Sequence, residues 1–143
     1  MIEKLTVTVD GWPNRELIPE EFAFGKIAPI AEGHVALSRN RNPGIRWSGG
    51  PAAARSYAII CHDPDVPSKP DNVNKEGVTV PADLPRVDFF HWVLVDIPAD
   101  RSEILAGEDS SHVIAGGKPP GKTEFGVRGI NNYTDWFASD PRH

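Results

Sequence analysis

Phe89-Phe-His-Trp-Val-Leu-Val-Asp-Ile97 and, upstream of it, Ser56-Tyr-Ala-Ile-Ile-Cys-His62 are the stretches on which the fold turns. Both are dense in Val, Ile and aromatic side chains and are apolar at odd and even positions alike, as strands covered on two faces are. They are expected to form the heart of a sheet. Each lies inside a 12-residue run, Ala52 to Asp63 and Arg86 to Ile97, and no run free of Gly and Pro is longer. Glycine and proline together fill 27 of the 143 positions, where average usage would give about 17. Neither residue sustains a helix interior, so a helical bundle is excluded.

Working outward, Leu5, Val7 and Val9 alternate with Lys4, Thr6 and Thr8 and are closed by Asp10-Gly11, the pattern of an edge strand and its turn. Short apolar pieces follow at Phe22 to Phe24, His34 to Leu37 and Ile45 to Trp47, each fenced by Gly or Pro. No regular βαβ alternation appears, so the expectation is an antiparallel domain dominated by strands. Residues 64–88, between the two long strands, carry five prolines among scattered Lys, Asp and Asn, and read as a long excursion loop. Downstream, Asp100-Arg-Ser-Glu-Ile-Leu-Ala106 offers an Asp cap, Glu103 at the third helical position and Gly107 beyond the end, which predicts one short helix. Asn131-Asn-Tyr-Thr-Asp-Trp-Phe137 is aromatic and is expected to be a turn or single helical turn pinned on the core.

The length suits one domain over residues 1–143, and Leu, Ile, Val and Phe fill 35 positions, more than the fifth or so below which a charged chain stays disordered. With 15 basic and 20 acidic side chains the net charge is −5. No segment clusters Lys and Arg as phosphate neutralisation requires, so nucleic acid is not an expected partner. The single Cys61 sits inside an apolar run, which predicts a buried structural thiol and neither a disulfide framework nor a thiolate metal site. The first residues alternate polar and apolar, and no run approaches the ~20 apolar residues of a membrane span. A cytoplasmic protein that does not span a membrane is the expectation.

Gly116-Gly-Lys-Pro-Pro-Gly-Lys-Thr123 satisfies the phosphate-loop pattern G-x-x-x-x-G-K-[ST] letter for letter, which would make Lys122 and Thr123 parts of a nucleotide-binding enzyme. That loop works by aiming successive backbone N–H groups at phosphate and by opening a helix. Pro119 and Pro120 have no N–H, and the following Glu124 to Gly129 carries two glycines. A Gly/Pro surface loop is the better reading. The second constellation is His62-Asp-Pro-Asp-Val-Pro67 at the end of one long strand, with His91 inside the other. Pro64 and Pro67 hold their predecessors extended, which would fix Asp63 and Asp65 at a sheet end. His91 shares its pleat face with Phe89, Val93, Val95 and Ile97 and by itself reads as a core histidine. A carboxylate within reach would fix its tautomer and let the pair bind a polar head group. His62, Asp63, Asp65 and His91 lack the dense spacing of a metal set, so no metal or other cofactor is expected. No Ser sits on a G-x-S-x-G elbow, and no enzymatic activity is expected.

At these residues the chain resembles the phosphatidylethanolamine-binding proteins, specifically the bacterial Raf kinase inhibitor-like branch. Asp63-Pro-Asp-Val-Pro67 is similar to the family's D-P-D-x-P motif, Phe90 to Pro98 to its H-W-x-[LV]-V-x-[IL]-P strand, and Asn42 to Gly49 to its S-P-x-L-x-W-x-G segment. Asp10-Gly11 with Ile18-Pro19, and Gly126 to Trp136, extend the likeness over nearly the whole chain. The resemblance implies an antiparallel β-sandwich with one or two short helices and a small pocket for phosphate, phosphoethanolamine or a phospholipid head group. Asp63 and His91 would bind the ligand, with Pro64, Asp65 and Pro67 shaping the pocket. A carboxylate repels an anion, so Asp63 would be protonated, orient a charged His91, or receive the ammonium of an ethanolamine group. The resemblance also implies modulation of a protein partner such as a kinase or protease, either through the pocket or through the loops alone. Family members continue with a G-P-x-P-P segment and an H-[RH]-Y strand, which Pro119-Pro120-Gly121 imitates only superficially. The expectation is therefore a domain lacking its C-terminal pocket-lining strands, either because residues 1–143 are a truncated or cleaved portion of a longer protein or with the open edge covered by a separate polypeptide or a second copy in a homodimer.

Overall fold

The computed structural model describes residues 3–73 and 75–137. Two antiparallel sheets face each other. The first has the order β1-β4-β7, from β1 (Leu5–Val9), β4 (Ile45–Gly49) and β7 (Glu103–Ile104); the second has the order β5-β6-β9-β8, from β5 (Ser56–Pro67), β6 (Arg86–Pro98), β9 (Val127–Arg128) and β8 (Gly121–Lys122). A separate hairpin pairs β2 (Gly25–Ile27) with β3 (Val35–Leu37), and α1 (Asn132–Phe137) follows β9. Between the sheets sits the core: Trp47 from β4 and Ile104 from β7 meet Leu94 and Ile97 from β6, with Phe125 beside them. This is the strand-dominated architecture that the Gly/Pro content and alternation imply.

The long strands pair with each other, and the segment between them runs from 68 to 85, shorter than expected because the two prolines of Asp63-Pro-Asp-Val-Pro67 stay within β5. Among the described residues β6 is interior, whereas β5 has only β6 as a neighbour, so one of the two expected central strands lies at an edge. Cys61 on β5 is consequently exposed, not buried. The expected helix at Asp100 to Ala106 is not formed. Glu103 and Ile104 pair instead with Arg46 and Ile45, and Ile104 is fully buried. Burying that side chain and completing a ladder outweighs a capping pattern worth about 1 kcal/mol.

Three register shifts shape the β5–β6 pair. Trp92 lies opposite Cys61 but Phe90 opposite His62, so His91 is an extra residue on β6. Phe89 lies opposite Asp63 but Val87 opposite Val66, so the extra residue there belongs to β5, at Pro64-Asp65. Proline cannot donate to a ladder, which makes a bulge the natural place for it. The third shift lies beyond Leu94, where Asp96 adopts a left-handed backbone (φ 53°). It turns both Leu94 and Ile97 into the core despite their odd spacing.

Much apolar surface stays open. The chain exposes 10132 Å², whereas a folded monomer of its mass exposes about 7,200 Å². Val7 and Ile60, on β1 and β5, are each 55% exposed. Among the described residues no helix is long and apolar enough to cross a membrane.

Candidate functional site

The bulge at His91 leaves backbone groups that the β5 ladder does not use, and two asparagines take them. The Asn131 amide donates to the His91 carbonyl (3.1 Å), and the Phe90 N–H donates to the Asn132 side-chain oxygen (2.7 Å). Asn131 also caps α1, its Oδ1 accepting from the Thr134 N–H and hydroxyl, both at 2.9 Å. The aromatic segment is thus pinned on the core, as its composition implies. It sets Tyr133 against His91 (ring centroids 5.7 Å), Phe89 (4.8 Å) and Phe24 (4.9 Å).

Across the pair on β5, Asp63 is half-buried opposite Phe89. Its Oδ1 accepts from the Asp65 N–H (2.8 Å), a local turn that spans Pro64 and fixes the carboxylate, while Pro67 closes β5. Asp63, Pro64, Asp65 and Pro67 therefore form one bulged shoulder at the end of β5, beside the His91 bulge of β6. Electrostatics link the shoulder to the rings. Burial holds the His91 imidazole below its ordinary pKa, and the Asp63 charge partly offsets this. Burial pushes the Tyr133 phenol up, and Asp63 adds to it. Burial thus favours the neutral forms of both rings. His62 lies 3.8 Å from Asp88, and among the described residues no group of His, Cys, Asp and Glu is placed to hold a metal.

His91 and Tyr133 line a cleft of about 780 Å³ between the two sheets. Asp63 stands outside its walls and reaches it through its charge. Arg128, Trp92 and Asn42, which also line the cleft, belong to a cluster that sequence patterns do not reveal. Asp109, its side chain fully buried, receives Arg128 at 2.9 Å and the Trp92 indole N–H at 2.8 Å. Arg128 also donates to the Asp109 carbonyl. Asn42, itself buried, accepts from the Asp109 and Ser110 N–H groups and donates to the Leu105 carbonyl. Lys118 lines the cleft too, from inside the Gly116 to Thr123 stretch. The rest of that stretch supports no phosphate loop: Gly121 and Lys122 form β8, paired with β9, where the pattern requires a helix.

A profile of the family described as "Phosphatidylethanolamine-binding protein" matches residues 10–143. The chain belongs to the phosphatidylethanolamine-binding protein family. Within this family it is similar to a UPF0098 protein of Methanothermobacter thermautotrophicus, 27% identical over 107 residues, covering 75% of this chain and 59% of that protein. Two Escherichia coli proteins, UPF0098 protein YbcL and UPF0098 protein YbhB, are 26% and 29% identical over 106 and 93 residues, covering 73% and 64% of this chain. The match spans 49% and 48% of those two proteins, so the chain spans about half the length of the curated relatives it matches. No solved structure matches. Family membership agrees with the motifs at Asp63 to Pro67 and Phe90 to Pro98, the strands that carry the histidine end of the cleft.

Proposed function

We propose that the chain is a non-enzymatic binding module whose histidine end takes a phosphoethanolamine-type head group, free or on a phospholipid, and releases it unchanged. The observation that carries this reading is the placement of His91 against Tyr133 (ring centroids 5.7 Å) in the cleft wall, with the carboxylate of Asp63, fixed by the Asp65 N–H, near enough for its charge to act on both rings. An imidazole N–H and a phenol O–H are donors suited to a phosphate oxygen. A fixed carboxylate beside them suits an ammonium and disfavours a bare anion. A zwitterion satisfies all three groups at once. Of the three roles open to Asp63, receiving the ammonium fits best, because burial works against a charged His91.

Calorimetric titration of the whole chain with phosphoethanolamine, inorganic phosphate and ethanolamine tests this. Phosphoethanolamine should bind tighter than either half and be recovered intact. Asp63→Asn should remove its advantage over phosphate, and His91→Gln should weaken both. Equal affinity for phosphate and phosphoethanolamine, or no heat at millimolar concentration, would contradict the reading.

A further inference from the structure

Where β9 ends, two side chains carry its pairing with β6 further. Val127 and Arg128 lie opposite Val95 and Leu94, and the Gly129 N–H donates to the Val93 carbonyl (2.9 Å). The main chain then leaves the sheet and turns into α1, yet the row of bonds along β6 goes on. The Asn131 amide donates to the His91 carbonyl (3.1 Å), and the Asn132 side-chain oxygen accepts from the Phe90 N–H (2.7 Å). A side-chain amide offers the same donor and acceptor as a peptide group, so the two asparagines stand in for strand backbone beside the bulge. Gly129 permits the approach, since a Cβ there would lie only 3.0 Å from Val93 Cγ1. Tyr133 follows directly, its ring against His91 and Phe89. A bulge re-aims the side chain it carries. A ladder fixes that aim with many main-chain bonds, whereas on this flank of His91 two side chains do so, and one substitution can release them.

We propose that Asn131 and Asn132 are the positioning residues of the head-group site: by gripping the peptide groups on either side of the Phe90-His91 pair, they fix where the His91 imidazole stands relative to Tyr133. They act through His91, not on the ligand itself. The proposal rests on the head-group reading for its ligand, but its geometry can be read in the free chain.

The test compares two neutral variants that each lose one hydrogen bond of the same corner. Asn131→Ser keeps the cap of α1 but is too short for the His91 carbonyl, whereas Thr134→Val loses the hydroxyl bond to Asn131 Oδ1 (2.9 Å) and leaves the clamp in place. Proton NMR of the free chain reads the nuclear Overhauser contact between the His91 and Tyr133 rings, and calorimetry reads the affinity for phosphoethanolamine. Asn131→Ser should lose most of the ring contact and bind about tenfold more weakly, the worth of one misaligned hydrogen bond to a charged group. Asn132→Ala should do the same, and Thr134→Val should keep both contact and affinity. In a His91→Gln chain, Asn131→Ser should cost no further affinity, because the clamp acts through the imidazole. An unchanged ring contact in Asn131→Ser would overturn the proposal, as would an equal loss in Thr134→Val or an additive loss in the His91→Gln chain. If the wild-type chain binds no phosphoethanolamine, the head-group reading fails and the ring contact alone decides the positioning, its loss in Asn131→Ser upholding it and its survival overturning it.

Discussion

Asn131→Ala should weaken the fold by an amount that can be worked out bond by bond. The substitution removes the cap of α1, where Asn131 accepts twice from Thr134, and the amide that satisfies the bulged His91 carbonyl. Loss of an Asn cap costs about 1 kcal/mol, and loss of one part-buried hydrogen bond about 1 kcal/mol more. The sum, about 2 kcal/mol, is a large share of a typical stability of about 5–15 kcal/mol. With a urea slope of about 2 kcal/mol per molar, the midpoint should fall by about 1 M. Serine caps as well as asparagine but is too short to reach His91, so Asn131→Ser should lose only the second bond and about half the midpoint shift. Urea unfolding followed by tryptophan fluorescence measures all three proteins. Equal midpoints for the Ala and Ser variants would refute the claim that Asn131 clamps the bulge, and no shift in either would refute both bonds.

Asp109→Leu strands the largely buried Arg128 without its partner and should cost about 3–5 kcal/mol, while adding Arg128→Met should recover part of it; a double variant as unstable as the single one would contradict the pairing. Stability should also depend on pH through His91. Its folded pKa lies below the unfolded value of about 6.5, so the unfolded chain takes up the proton first. The contribution of neutral His91 is therefore complete above that value and is lost as pH falls toward and through the folded pKa. His91→Gln should flatten the stability profile in that window, and an identical slope in wild type and variant would contradict the burial. Gly126→Ala should cost about 1–3 kcal/mol or more, because a Cβ there would collide with the Val95 carbonyl oxygen; a thermal midpoint equal to wild type would contradict the close approach of β9 to β6.

Alternation and Gly/Pro fences suffice to place β1, β3, β4 and the two long strands, because those patterns report which faces are covered. They also place Asp63 and His91 on neighbouring strands. They do not give the register. His91 sits in a bulge because Asn131 and Asn132, about 40 residues away, supply partners for its backbone and that of Phe90, a dependence no local window contains. Asp100 to Gly107 misleads for the same reason: its caps are local, whereas the burial of Ile104 against β4 and β6 is not. Cys61 reads as buried from its apolar neighbours, yet β5 lies at an edge of the described sheet. Lys118 and Asp109 carry no periodic signature at all. A buried carboxylate in a Gly/Ser-rich turn and a lysine between Gly and Pro look like surface until the chain folds Arg128 back onto them.

The histidine end is tested most directly by NMR of the His91 imidazole, its pKa measured with and without phosphoethanolamine. A phosphate oxygen accepting from the ring would favour the charged form and raise the pKa from its depressed value, and Asp63→Asn would abolish most of the shift by weakening binding. A His91 titration curve that stays the same at saturating ligand would contradict the assignment of this pocket.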